Sequence, residues 1–229
     1  MKKILLLSLL IVIGFTTGLG QQWTSLGGTI AVTNENAQLK VTQNGKAVRT
    51  FISTSNQGIV EVWNQPNGNW DQFSYPAGAA DVEDLYLGIN NNDIYVAYKT
   101  FSSGTLSIKR YNPATGTWVL IGSLSSSFYR PGTGHLFCNS NPNGIYFAFV
   151  GNTSNEPNVV KYNGTSFANI AISGNVSSDD AQSIKGYAND DEDVYVVYET
   201  DFGGMLEDFK VYKYTSGSGS FNHVEYLDN

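Results

Sequence analysis

A six-residue stretch written three times constrains this chain more than anything else in it. Asp93-Ile94-Tyr95-Val96-Ala97-Tyr98 returns as Gly144-Ile145-Tyr146-Phe147-Ala148-Phe149 and as Asp193-Val194-Tyr195-Val196-Val197-Tyr198. A worn copy stands at Ala47-Val48-Arg49-Thr50-Phe51-Ile52. Each copy is β-branched and aromatic and follows a polar turn, which predicts a strand. None alternates apolar with polar residues, so both faces are expected to be buried.

A second marker repeats out of phase with the first: an aromatic, a short Asn/Gly turn, then another aromatic. It runs Trp63 to Trp70, Tyr111 to Trp118, Tyr162 to Phe167 and Tyr214 to Phe221. The closing aromatics recur at about 48 residues, and a period of that length holding only strands and turns is that of a β-propeller blade. Superposing the copies gives four strands per unit, with inner strands at 37–42, 84–89, 135–139 and 182–188. No stretch after the first twenty residues has helical periodicity with caps. The expected fold is therefore all-β: a β-propeller of about four four-stranded blades. Its units are about 24–76, 77–124, 125–173 and 174–227, in one domain over 21–229. Trp23-Thr24-Ser25-Leu26-Gly27 reads as an extra strand, a candidate for closing the ring; the alternative is that open ends meet in a homo-oligomer.

The amino terminus reads as an address. Lys2-Lys3, the apolar run from Ile4 to Phe15 and the small residues of Gly18-Leu19-Gly20 predict a secretory signal peptide over 1–20, cleaved before Gln21. The run is shorter than the ~20 residues that span a bilayer, so no membrane span is expected in the mature chain. The protein is expected outside the cytoplasm, secreted, periplasmic or at the cell surface. One cysteine, Cys138, excludes an intramolecular disulfide framework and reads as a buried, inert thiol. A net charge of −7 argues against a nucleic-acid partner.

The inner strand, the Ile94-to-Tyr98 strand, the hairpin Lys109-Arg110-Tyr111-Asn112 to Gly116-Thr117-Trp118 and the Trp23-to-Gly27 strand together resemble the repeats of secreted bacterial β-propellers. That broad group holds kelch-like, sialidase-like and lectin propellers, and the likeness covers nearly all of the mature chain. The chain departs from sialidases at their Asp-box: Gly68-Asn69-Trp70 and Gly116-Thr117-Trp118 put the aromatic two residues after Gly, without the Asp. The kelch Gly-Gly doublet is also missing from the second strands.

Chemistry on a repeat scaffold should show as departures from the repeat. His135 and His223 are the only histidines, and no second His or Cys sits at zinc-ligand spacing, so neither metal nor cofactor is expected. No P-loop, nucleophile elbow or His-Glu-x-x-His is present. Asp190-Asp191-Glu192-Asp193 occupies the turn held by Asn90 to Asp93 in another unit, which predicts a solvated turn. The longer loops carry Phe101, Phe128-Tyr129-Arg130 and Phe202, aromatics with no repeat equivalent. The leading expectation is thus a non-catalytic binding module that recognises an extracellular glycan or protein through Phe101, Tyr129, Arg130, Asp179 and Phe202. The alternatives are a glycoside hydrolase or lyase using Asp179, Asp180 or His135, and a structural array.

Overall fold

The computed structural model describes residues 37–78, 80–125, 129–153, 155–170, 180–202, 205–216 and 221–227. The Trp23–Gly27 strand expected to close the ring lies outside these residues. They form four antiparallel four-stranded sheets, each a meander in sequence order. The first holds β1 (Gln38–Val41), β2 (Ala47–Ile52), β3 (Gly58–Asn64) and β4 (Asn69–Gln72). The second holds β5 (Val82–Asn90), β6 (Asp93–Thr100), β7 (Thr105–Asn112) and β8 (Thr117–Ser125). The third holds β9 (His135–Cys138), β10 (Ile145–Val150), β11 (Pro157–Tyr162) and β12 (Phe167–Asn169). The fourth holds β13 (Asp180–Ala188), β14 (Val194–Phe202), β15 (Met205–Tyr214) and β16 (Phe221–Leu227). The arrangement is that of a roughly four-bladed β-propeller.

The repeated stretch is the second strand of its blade, and it is buried because it packs on both neighbours. All six residues of β10 are buried, as are Ile94 to Tyr98 of β6. Alternate side chains enter different seams: Tyr95 and Ala97 face blade 3, while Ile94, Val96 and Tyr98 face blade 1. Three apolar clusters result, one per seam. Val48, Val60 and Leu85 belong to the first, Tyr86, Phe147 and Val160 to the second, and Phe137, Tyr146 and Val196 to the third. No described cluster joins blade 4 to blade 1. On those terminal faces Leu39 and Val41 are each 60% exposed and Tyr187 is 63% exposed.

The seams are also stitched by polar groups at both ends of the inner strands. Toward their starts, each blade accepts a backbone N–H from the next. Leu87 donates to Gln38 Oε1 at 3.0 Å, Gly134 to the Tyr86 hydroxyl at 3.1 Å, and Gly186 to His135 Nδ1 at 2.9 Å. By strand register Gln38, Tyr86 and His135 are equivalent positions, opposite Thr50, Ala97 and Ala148, and the fourth equivalent is Lys185, opposite Val197. At the short-hairpin end, Gln43 N donates to Asn91 O, Asn90 Nδ2 to Asn141 O and Asn139 Nδ2 to Asn189 O. Part-buried and exposed backbone carbonyls of the asparagine-rich hairpins thus take donors from the neighbouring blade.

Candidate active site at the propeller axis

The inner strands converge on a hollow of about 520 Å³ at the short-hairpin end of the axis, to which all four blades contribute. Blade 1 gives Lys40, Val41 and Gln43; blade 2 gives Ile89 and Asn91; blade 3 gives Cys138, Asn139 and Ser140; blade 4 gives Tyr187, Ala188 and Asp190. Because side chains alternate along a strand, residues two apart share a face. Lys40 therefore shares the face of Gln38, and Tyr187 that of Lys185. Lys40, Gly88, Phe137 and Tyr187 form the next equivalent layer after Gln38, Tyr86, His135 and Lys185, opposite Val48, Tyr95, Tyr146 and Tyr195.

Lys40 is the most unusual member. It is half-buried, and its Nζ crosses from blade 1 to donate to Leu136 O of blade 3 at 2.9 Å. Desolvation lowers its pKa from the ordinary lysine value and Lys185 lowers it further, against an opposing pull from Cys138. Lys185 is exposed. Cys138 is half-buried at the wall of the hollow, and burial pushes its pKa up to about 12, so it is not a nucleophile near neutrality. Asp190 is exposed at the rim, and its Oδ1 accepts from Ser140 N at 3.0 Å and Ser140 Oγ at 2.6 Å, which holds its carboxyl below the usual range.

His135 stacks on Phe137 with ring centroids 5.6 Å apart. Burial, then Lys40 and Lys185, lower its pKa to about 3, against the raising hydrogen bond from Gly186. With Nδ1 accepting that N–H, the neutral ring carries its proton on Nε2 and acts as a donor. This has a measurable consequence. The folded state binds fewer protons than the unfolded one between about 3 and 6.5, so neutral His135 contributes stability that is full above 6.5 and lost as pH falls through that window. Thermal denaturation should show a melting temperature that falls across it, and less steeply in His135→Gln. Asp84, raised by burial, gives the opposite slope in both proteins, so the difference isolates His135. Equal slopes would refute the buried neutral ring.

Of the residues expected at a binding rim, the structure describes the side chains of Phe101, Tyr129 and Arg130. Phe101 is 63% exposed in the turn between β6 and β7. Tyr129, expected at an exposed rim, has no exposed surface: its hydroxyl donates to Asp84 Oδ2 at 2.7 Å and lies 2.5 Å from the Tyr86 hydroxyl. Arg130 is half-buried and bridges blade 3 to blade 4 through Ala181 O at 3.4 Å and Gln182 Oε1 at 3.2 Å. Phe202 ends β14 opposite Met205, Asp180 begins β13, and both side chains, like all of Asp179, lie outside the described set. Phe101, Tyr129 and Arg130 are not among the residues that line the axial hollow. The turn reading of Asp190–Asp193 agrees with the contacts: Asp193 pairs with Lys213 at 2.7 Å and Glu192 with Lys161 at 2.7 Å. Among the described residues no group of three His, Cys, Asp or Glu side chains is placed to hold a metal ion. No described helix is long and apolar enough to cross a membrane.

Lys40 and Lys185 escaped the sequence reading. Their signal was available: inner-strand positions that hold glutamine, aromatic, histidine or glycine in other units hold lysine here.

No family model matches the chain, and no curated protein is similar in sequence. Solved structures are similar in fold. The exo-β-1,3-galactanase of Phanerochaete chrysosporium gives a TM-score of 0.56 at 12% identity over 91% of this chain and 53% of that one. An ulvan lyase, bound to a -[GlcA(1-4)Rha3S]- chain, gives 0.57 at 10% identity over 84% of this chain and 55% of that one. Dipeptidyl peptidase 4 of Porphyromonas gingivalis gives 0.51 at 15% identity, over 81% of this chain and 30% of that one. This chain thus spans about half the length of the galactanase and lyase and less of the peptidase. These structural neighbours are β-sheet-rich enzymes with propeller-like domains. The expectation of a non-catalytic binding module is corrected by them: the neighbours named are a galactanase, a lyase and a peptidase, all enzymes.

Proposed function

We propose that the chain is an exported carbohydrate-active enzyme, a glycoside hydrolase or polysaccharide lyase, working at the axial hollow. The observation that carries this reading is the hollow itself. Four blades supply its walls, its volume of about 520 Å³ suits one or two sugar rings, and Lys40, Tyr187 and Asp190 place ionisable groups in it. The galactanase and the ulvan lyase lend support, since both act on polysaccharides from a similar scaffold. Tyr187, mostly exposed and 6.4 Å from the Tyr195 ring, offers an aromatic face on which a sugar can stack. Export is supported by the amino-terminal Lys2-Lys3 and apolar run.

The test is release of reducing ends by the mature chain from a panel of β-1,3-galactan, ulvan, polygalacturonate and alginate. At least one polymer is expected to be cut, and Tyr187→Ala to raise the KM for it. A panel left intact by folded protein would overturn the reading.

A further inference from the structure

We propose that the seam between blades 1 and 2 carries a second saccharide site, a groove at the short-hairpin end that holds a stretch of a neutral glycan chain. This groove shares no lining residue with the axial hollow and does not depend on what happens there.

The groove exists because the seam departs from the repeat at two matched places. Val62 lies opposite Val48 in the register, and the same position holds Arg110 opposite Tyr95, Lys161 opposite Tyr146 and Lys213 opposite Tyr195. Between blades 3 and 4 that cation spans the seam: Lys161 Nζ donates to Glu192 Oε2 at 2.7 Å. Glu192 directly precedes Asp193, as Asn92 directly precedes Asp93. Between blades 1 and 2 the corresponding residues are therefore Val62 and Asn92, one too short to cross and the other uncharged. Both line a hollow of about 380 Å³.

Its walls are held by the protein's own contacts. On the axial side the two hairpins are tied together, Gln43 N to Asn91 O at 2.8 Å and Asn44 N to Asn92 Oδ1 at 3.0 Å. On the outer side Phe73 of blade 1 stacks on Tyr111 of blade 2 with ring centroids 4.0 Å apart, and Trp118 Nε1 donates to Ser74 O. Val62, half-buried, and Ile94, buried, add apolar surface. A preformed cleft with an apolar lining and a few placed polar groups is what a small-ligand site requires.

The polar groups select the ligand. Lys46 stands at the hairpin-closing position that holds Asp93, Gly144 and Asp193 in the other blades. Lys46 and Asp93 are exposed, line the same hollow and take part in no ion pair among the described residues. An ammonium and a carboxylate in one cleft, beside the Asn44 and Asn92 amides, present donors and acceptors together. Neighbouring sugar hydroxyls, which both donate and accept, satisfy such a set, whereas a polyanion would meet Asp93 and a cation would meet Lys46. The cleft also continues past Lys46. Asn44, Lys46 and Val62 line an adjoining hollow of about 440 Å³ that reaches Trp63 and Asp71. Asp71 is already held there by Asn64 at 2.6 Å and Asn69 at 3.0 Å, and half-buried Trp63 offers ring surface for stacking. Two adjoining hollows that share one wall fit successive units of a chain better than a lone ring.

The experiment titrates the mature chain, by calorimetry and tryptophan fluorescence, with neutral trisaccharides of β-linked galactose, glucose, mannose and xylose, and with trigalacturonate as the charged counterpart. At least one neutral trisaccharide is expected to bind, and trigalacturonate to bind more weakly. Lys46→Met and Asp93→Asn, both changes of exposed side chains, should each weaken the binding by about 10-fold or more. Val62→Arg, which restores the long cation of the other blades, should abolish it, with melting temperatures reporting that each variant folds. Binding lost in Tyr187→Ala but indifferent to the three groove variants would put the sugar in the axial hollow and overturn the groove. A panel that does not bind, or trigalacturonate bound as tightly as any neutral sugar, would overturn it too. Either result leaves the axial reading to its own test, because that test reads cleavage and this one reads binding.

Discussion

Tyr129→Ala is expected to destabilise the protein by roughly 3–5 kcal/mol, the range for emptying a buried aromatic site. The ring is fully enclosed in the seam between blades 2 and 3. It packs edge-on to Tyr86 at 6.4 Å and lies 5.7 Å from Phe147 and 6.1 Å from Phe149. Its hydroxyl sits between the Asp84 carboxylate and the Tyr86 hydroxyl, and burial first, then the neighbouring acidic groups, pushes both phenols above their ordinary range. Truncation therefore opens a cavity and strips a donor from a buried carboxylate at once. Tyr129→Phe separates the two effects: it keeps the ring, removes the donor, and should cost about 1–3 kcal/mol. Urea midpoints read both. A Tyr129→Ala midpoint equal to that of the native protein would place the ring outside the seam.

Gly186→Ala is expected to be nearly as damaging, at up to about 3 kcal/mol for one added methyl group. A Cβ there would stand 2.2 Å from Phe137 Cε1 and 2.4 Å from its Cζ. Phe137 has little room to withdraw, because it is stacked between His135 at 5.6 Å and Tyr146 at 5.3 Å. Displacing the strand instead would break the bond from Gly186 N–H to His135. Calorimetry should show a lower melting temperature in Gly186→Ala, and a partial recovery in Gly186→Ala with Phe137→Leu, whose smaller side chain vacates the space. No recovery would point to a backbone requirement at residue 186 rather than crowding.

Much of the scaffold was legible because it is written in the repeat. The Ile94, Ile145 and Val194 stretches announce strands through their β-branched and aromatic run, and the aromatic hairpins announce the turn to the outermost strand. Inner strands expected at 84–89 and 182–188 are observed at Val82–Asn90 and Asp180–Ala188. Both start with register shifts, between Val82 and Asp84 and between Ala181 and Ser183, that periodicity alone does not reveal. The site was less legible for a physical reason. Aromatics that break the repeat look like ligand contacts, yet a seam between twisted blades also needs irregular filling, and Tyr129 answers that need. Arg130 likewise satisfies carbonyl and amide oxygens of blade 4. Conversely, a lysine in an inner strand looks like an ordinary solvated residue until the blades are folded around it. Only convergence at an axis brings Lys40, Lys185 and His135, nearly 150 positions apart in the sequence at the extremes, into one electrostatic neighbourhood.

Four blades joined by three described dry seams make a stack whose members are not equally supported. Blades 2 and 3 are gripped on both sides; blades 1 and 4 each lean on one neighbour through a described apolar cluster. Within these described contacts, opening free energy is expected to be graded by position, as in a short one-dimensional array. Amide protons of the buried β6 and β10 are expected to exchange most slowly, and those of the part-exposed β1 sooner. Lys40 stands on β1, so a strand that lines the hollow is also expected among the more readily loosened parts of the scaffold. Occupancy of the hollow, by tying Lys40 to the other three blades, would then slow exchange in β1 more than anywhere else.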